Sequence, residues 1–139
     1  MSEQSNFYSR RSKLRRFFEV EMRKSNALLK KRCIEKYNEY IFVRFSGHMI
    51  ERLIDRGIDE KYIMEVFRKM SDKTSELMEF LHMKDRPIRL EVTDGNLWIG
   101  MTVDLIEEGK GYNGLCCRMI IENPKRLAGK IPTYVINVN

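Results

Sequence analysis

Between Phe7 and Tyr37 the chain has no proline and no glycine, and Phe7, Leu14, Phe18, Met22 and Leu29 recur at three-to-four or seven-residue spacing. That pattern predicts one long helix with a packed face. Its other face is basic: from Arg10 to Arg32 the bases Arg10, Arg11, Lys13, Arg15, Arg16, Arg23, Lys24, Lys30, Lys31 and Arg32 are set against only Glu19 and Glu21. Any one lysine in such a run is equally well explained by a solvated helix face. Ten bases against two acids, in a chain of formal charge +6 and pI about 9.3, favour a polyanion, RNA or DNA.

The helix gives way to "YIFVRF", residues 40 to 45, a short extended run, after which Ser46 has the chemistry of an N-cap. The next helix is expected to stop at Gly57, a natural C′ residue. Asp59 can then cap a third helix, with Ile58 and Ile63 as a hydrophobic staple and Ile63, Val66, Phe67 and Met70 as the buried face. "TSELMEFLHM" is ambiguous between helix and strand. "PIRLEVTDGNLWIGMTVDL" reads as two β-rich runs joined at Asp94-Gly95, a strong hairpin signal. "DLIEEGKGYNG" reads as a mobile connection, and "LCCRMIIEN" and "TYVINV" add further strands. The expected fold is α+β: N-terminal helices, one long and two short, packed on a four- to five-stranded antiparallel sheet. With no repeats, low-complexity tracts or linkers, residues 1–139 are expected to form one domain.

A composition 42% hydrophobic and 33% charged is that of a globular chain. No apolar run approaches the roughly 18 residues that span a bilayer, and "MSEQSNFYSRRSK" has no segment like the hydrophobic part of a signal peptide. The expected location is the cytoplasm. Cys33, Cys116 and Cys117 are odd in number, and the last two are neighbours on a predicted strand, where side chains point to opposite faces. Neither a disulfide framework nor a zinc site follows. Only His48 and His82 are available as imidazoles, without a carboxylate cluster around either, so metal-free chemistry is expected.

The stretch "SGHMIERLIDRGID" places His48, Arg52 and Arg56 four residues apart, with Met49, Ile50, Leu53 and Ile54 on the opposite side. On a helix these three form one stripe, a surface suited to phosphate. Glu51 and Asp55 are close enough in sequence to neutralise it, and a lone histidine is more often structural than catalytic. Among weaker signals, Trp98 either stacks on a base or, more commonly for such a residue, packs within the sheet. Arg89 and Arg118 lie in otherwise apolar strands and must face solvent or a phosphate site.

"RRSKLRRFFEVEMR", "FSGHMIERLIDRGIDEKYIMEVFRKM", "RLEVTDGNLWIGMTV" and "CRMIIENPKRLAGK" occur in that order from about Arg10 to about Lys130. Together they resemble the RegB family, the early-transcript endoribonucleases of T-even bacteriophages. The resemblance implies a fold similar to the RelE/YoeB mRNA interferases. It implies a metal- and cofactor-independent enzyme that cuts GGAG-like purine-rich sites in translation-initiation regions of early mRNA. It further implies stimulation by the ribosome or a small-subunit ribosomal protein, a monomeric state and action in the host bacterial cytoplasm. Carried over by position, the family's essential histidine falls on His48, its essential arginine on Arg52 and its helix-one glutamate on Glu19. One position departs: where the family has a second important histidine, this chain has Arg68, and His82 stands where the family has none.

Cleavage through the 2′-hydroxyl, which leaves 2′,3′-cyclic phosphate and 5′-hydroxyl ends, needs a base, an acid and positive charge at the phosphorane. His48 can serve as base or acid near neutrality. Arg52 is always charged and can clamp phosphate oxygens but cannot take a proton. Glu19 can orient His48 or act as base, and Arg68 can supply a second cation. Arg10, Arg11, Lys13, Arg15, Arg56, Arg89 and Arg118 are the candidates for RNA binding. The competing readings are a translational regulator that binds RNA without cutting, and a toxin-like interferase held by a protein partner.

Overall fold

The computed structural model describes residues 3–107, 109–126 and 131–139. Helix α1 (Glu3–Tyr37) leads into strand β1 (Tyr40–Phe45), then α2 (Gly47–Arg56), α3 (Glu60–Met70) and α4 (Thr74–His82). Strands β2 (Arg89–Thr93), β3 (Leu97–Glu107), β4 (Tyr112–Glu122) and β5 (Thr133–Asn137) follow. The α+β order of helices before sheet is therefore as expected, with three short helices in place of two. The ambiguous segment 74–82 is helical because Leu77, Met78, Phe80 and Leu81 all reach the core, a clustering that alternation along a strand cannot give.

The long helix forms where its periodicity places it. Leu14, Phe18, Met22, Leu29 and Cys33 are buried against the rest of the molecule. It ends where Asn38 adopts a left-handed φ of 57°, a conformation asparagine tolerates better than most residues, and the chain turns straight into β1. Between the two elements lies a polar contact that periodicity does not reveal. The Asn26 amide donates to the Val43 carbonyl at 2.9 Å and accepts from the Val43 N–H at 2.9 Å. It completes the outer edge of β1 as another strand would.

Gly57 holds the left-handed C-cap of α2 with φ 63°, and Asp59 accepts from the Lys61 N–H to cap α3. Ile58 and Ile63 are both buried as a staple requires. Ser46 occupies the N-cap position of α2 but its side chain makes no capping hydrogen bond.

The sheet order is β1-β4-β3-β2-β5. It is mixed, which corrects the antiparallel expectation. β3 runs antiparallel to β2 and β4, while β1 lies parallel to β4 and β5 parallel to β2. The adjacent hairpins are legible from their turns, whereas the two outer pairs join segments separated by long connections, which permit parallel pairing. The stretch 104–114 is not the loose connection its glycines suggest. Residues Asp104 to Glu107 continue β3, Tyr112 to Gly114 begin β4, and the partners Ile106↔Asn113 and Glu107↔Tyr112 extend the ladder.

Ile41, Val43, Leu90, Val92, Leu97, Ile99, Met101, Leu115 and Ile120 face the helices in one hydrophobic cluster. The β3–β4 ladder slips twice. Gly100 pairs with Met119 and Met101 with Cys117, leaving Arg118 as an extra residue; Val103 pairs with Leu115 and Leu105 with Gly114, leaving Asp104 extra. Such bulges re-aim side chains. Here they put a guanidinium and a carboxylate on the sheet face turned away from the helices.

Candidate functional site

β1 pairs with β4 only as far as Phe45↔Cys117, so residues 118–122 of β4 have β3 on one side and, among the described residues, no strand on the other. Helix α2 occupies that gap. Its Met49 and Leu53 are buried, the Ser46 N–H reaches the Cys117 carbonyl at 3.2 Å, and two arginines address the carbonyls beyond. Arg52 Nη1 donates to the Arg118 carbonyl at 3.3 Å, and Arg56 Nη1 to the Ile120 carbonyl at 2.6 Å. The stripe of His48, Arg52 and Arg56 is therefore not simply a free basic surface. Two of its members also close a sheet edge, with the remaining N–H groups of each guanidinium left for other acceptors.

Arg52 and Arg56 meet Arg89 and Arg118 around a basin of about 500 Å³ whose floor includes Gly100, Thr102, Met119 and Ile121. Among the described residues no carboxylate lines it. Arg118 Nε donates to Thr102 Oγ1 at 2.7 Å, which fixes the guanidinium over the sheet. A Cβ on Gly100 would lie 3.1 Å from Met119 Cε, so glycine keeps the floor low. Arg89 and Arg118 thus face outward, as their cost in an apolar strand requires.

His48 is 83% exposed at its side chain, and its Nδ1 lies 3.9 Å from Glu51 Oε2. Glu51 also pairs with Arg11 at 3.4 Å, linking α1 to α2. Arg11, Arg15, Glu19 and Arg23 recur every fourth residue along α1 and line a second cleft, also about 500 Å³, closed by β1 and by Ser46, Gly47 and Ile50 of the α2 start. Glu19 pairs with Arg15 at 3.3 Å. Glu19 and the turn that carries His48 therefore border one cleft, and Arg52 projects from the next turn of α2 into the basin. Arg68 is placed elsewhere, in a depression between α1 and α3 with Glu21, Lys24 and Lys61. It shares neither the cleft nor the basin.

Part of the basic band on α1 serves the fold. Arg10 pairs with Glu60 at 3.2 Å, and Arg32 donates to Ser71 Oγ at 2.8 Å and to Asp72. Lys13 and Arg16 stay exposed. On the outer sheet face, Arg44 Nε donates to Asp104 Oδ2 at 2.5 Å, and this bond holds the Asp104 carboxyl below the ordinary carboxylate value. Trp98 is half-buried on that face. Its indole donates to the Asn123 carbonyl at 3.0 Å and Arg126 lies over its ring at 5.8 Å, so it is committed within the protein.

All three cysteines are buried and unpaired by any disulfide. Burial, with the nearby Glu39 charge, pushes the Cys33 thiol up to about 11, and burial pushes Cys117 further still. Among the described residues no three His, Cys, Asp or Glu side chains are grouped to hold a metal ion, and no helix is long and apolar enough to cross a membrane.

Residues 3–137 match the protein-family model described as "T4-page Endoribonuclease RegB". The chain belongs to the RegB endoribonuclease family. It is 39% identical to Endoribonuclease RegB of Enterobacteria phage T4 over 143 residues, covering 93% of this chain and 94% of that protein. The solution structure of the phage T4 endoribonuclease RegB superposes with a TM-score of 0.72 at 36% identity over all of both chains. Membership of the RegB family makes the chain an enzyme acting on RNA, and sets aside the reading as a binder that does not cut. Asn26, Asp104 and Thr102 escaped the sequence reading. Asn26, the one polar residue on the buried stripe of α1, was the visible signal among them.

Proposed function

We propose that this chain cleaves early phage mRNA at GGAG-like purine-rich sites in translation-initiation regions, by attack of the 2′-hydroxyl and without a metal ion. The products are a 2′,3′-cyclic phosphate and a 5′-hydroxyl. The observation that carries the reading is His48: an imidazole almost fully open to solvent, 3.9 Å from its nearest carboxylate, one helical turn before an arginine at the rim of a basin lined by four guanidiniums. A phosphate drawn to that rim lies beside a group that can take or give a proton near neutrality.

In this scheme Arg52 carries the developing negative charge of the phosphorane, with Arg56, Arg89 and Arg118 holding neighbouring phosphates. Glu19, across the cleft from the α2 start, accepts the 2′-hydroxyl proton or orients His48. Arg68, in the depression between α1 and α3, takes no part in the proton transfer. A single domain acting as a monomer in the host cytoplasm, stimulated by the ribosome or a small-subunit ribosomal protein, completes the proposal.

The test is to incubate purified protein with a short GGAG-containing RNA in the presence of EDTA and identify the new ends. Cyclic phosphate and 5′-hydroxyl ends, formed roughly 10²- to 10⁴-fold more slowly by His48→Ala, support the reading. Loss of activity in EDTA, or an unaffected His48→Ala enzyme, overturns it.

A further inference from the structure

Strand β1 alternates buried Ile41 and Val43 with Tyr40, Phe42 and Arg44, which point to the outer sheet face. By register Tyr40 lies beside Tyr112 of β4, and Phe42 beside Gly114. Tyr40 and Tyr112 meet edge to face with centroids 5.3 Å apart, and Lys30 Nζ sits 4.8 Å above the Tyr40 ring. Phe42 differs from both. It is 42% exposed, its neighbour in the sheet has no side chain, and among the described residues its ring meets no other ring and no cation.

Phe42 also stands where two clefts join. The cleft bordered by Glu19 and the α2 start continues into one of about 420 Å³ lined by Lys30, Tyr40 and Tyr112, and both share Arg23, Asn26 and Phe42. The combined groove follows α1 from Arg11 to Lys30, about 28 Å at 1.5 Å per residue, and is lined by Arg11, Arg15, Arg23, Lys30 and Arg44, of which Arg11, Arg15 and Arg44 are paired with Glu51, Glu19 and Asp104. Arg23 and Lys30 make no ion pair among the described residues. A basic groove interrupted by an uncovered aromatic face is the chemistry that binds single-stranded nucleic acid: cations follow the phosphates, and bases stack without sequence demands.

The geometry points to this α1–β1 groove as the track for the single-stranded RNA flanking the cleavage site, with Phe42 as the platform on which one flanking base stacks. The inference rests on the reading of the chain as an RNA-cleaving enzyme. It adds a binding residue that lies outside the lining of the four-arginine basin. A duplex is excluded from stacking there, because its bases are already covered on both faces. Arg23 and Lys30 are the cations available to the phosphates on either side.

The experiment uses the full chain and a GGAG-containing RNA extended by several nucleotides on both sides, made uncleavable by 2′-O-methylation at the scissile position. The extension carries 2-aminopurine. Binding is read by titration, and stacking by quenching of the 2-aminopurine fluorescence. Phe42→Ala and Phe42→Leu are expected to weaken binding roughly 5- to 100-fold, the range for loss of one base–aromatic stack, and to abolish the quench. Phe42→Tyr should retain both. Circular dichroism of each variant verifies the fold. Equal affinity and equal quench in all four proteins overturn the track. Equal losses in Phe42→Tyr and Phe42→Leu, with the fold intact, do so as well. If the unmodified protein neither binds this RNA nor cuts its cleavable form, the proposed function fails; binding and cleavage with an indifferent Phe42 remove the track alone.

Discussion

Asn26→Leu isolates the contact on which the α1–β1 groove depends. The amide is buried and bonds both the N–H and the carbonyl of Val43, itself 1% exposed. Leucine has similar volume, so the helix still packs, but both backbone groups lose their partner in a place water does not reach. Leaving a buried polar group unpaired costs about 1–3 kcal/mol. For two groups, offset by the apolar gain of a buried leucine of about 1.5–3 kcal/mol, the net loss is about 1–3 kcal/mol. For a chain of 139 residues that corresponds to a fall in Tm of about 3–10 °C. Urea denaturation followed by circular dichroism reads the free energy directly, with the midpoint expected to fall while the slope m stays the same. Asn26→Asp retains an acceptor for the Val43 N–H but turns a carboxylate toward the Val43 carbonyl. It should be less stable than the parent at neutral pH and regain part of the loss once the carboxyl is protonated and can donate. An Asn26→Leu protein within about 0.5 kcal/mol of the parent would mean that the edge of β1 finds other partners, and the account of how α1 secures it would be wrong.

Asp94 supplies a pH test. Burial raises its carboxyl, but the hydrogen bonds from Tyr62 at 2.5 Å and from the N–H groups of Leu97 and Asn96 outweigh it and hold the group below its ordinary value of 3.8. A carboxylate lowered on folding stabilises the protein above the unfolded-state value and loses that contribution as pH falls through the folded one. Asp94→Asn should therefore lower Tm at pH 7 and reduce the further fall in the acid range, and parallel Tm–pH curves would refute the assignment. RNA binding should weaken with salt at a slope of log K against log[salt] near −0.7 per phosphate contact on a single strand; a flat response would remove the basic groove and basin from the account. Arg52→Leu should abolish cleavage while retaining most RNA affinity, since the other cations remain, and unchanged single-turnover cleavage would exclude the phosphate clamp. Arg68→His should leave the shape of the pH–rate profile unchanged, because Arg68 shares neither the cleft of Glu19 nor the basin of Arg52. A new limb between about pH 5 and 8 would place position 68 at the reacting phosphate.

The sequence by itself determined those elements whose signals are local, and much of their chemistry. Helix α1, the glycine stop at Gly57, the Asp59 cap, the buried face of α3 and the turn at Asp94-Gly95 depend on interactions within a few residues, which periodicity and capping residues record. The basic stripe of α2 was visible for the same reason. Tertiary structure alone decided what that stripe does. Arg52 and Arg56 reach β4 carbonyls because β1 stops at Phe45 and leaves the edge of β4 unpaired, a consequence of where two distant strands align. The bulges that expose Asp104 and Arg118, the parallel pairing of β1 with β4, and the junction of two clefts at Phe42 have the same origin. Each arises from completing hydrogen bonds between segments far apart in the chain, and a backbone N–H or carbonyl carries no mark in the sequence of the partner it will find.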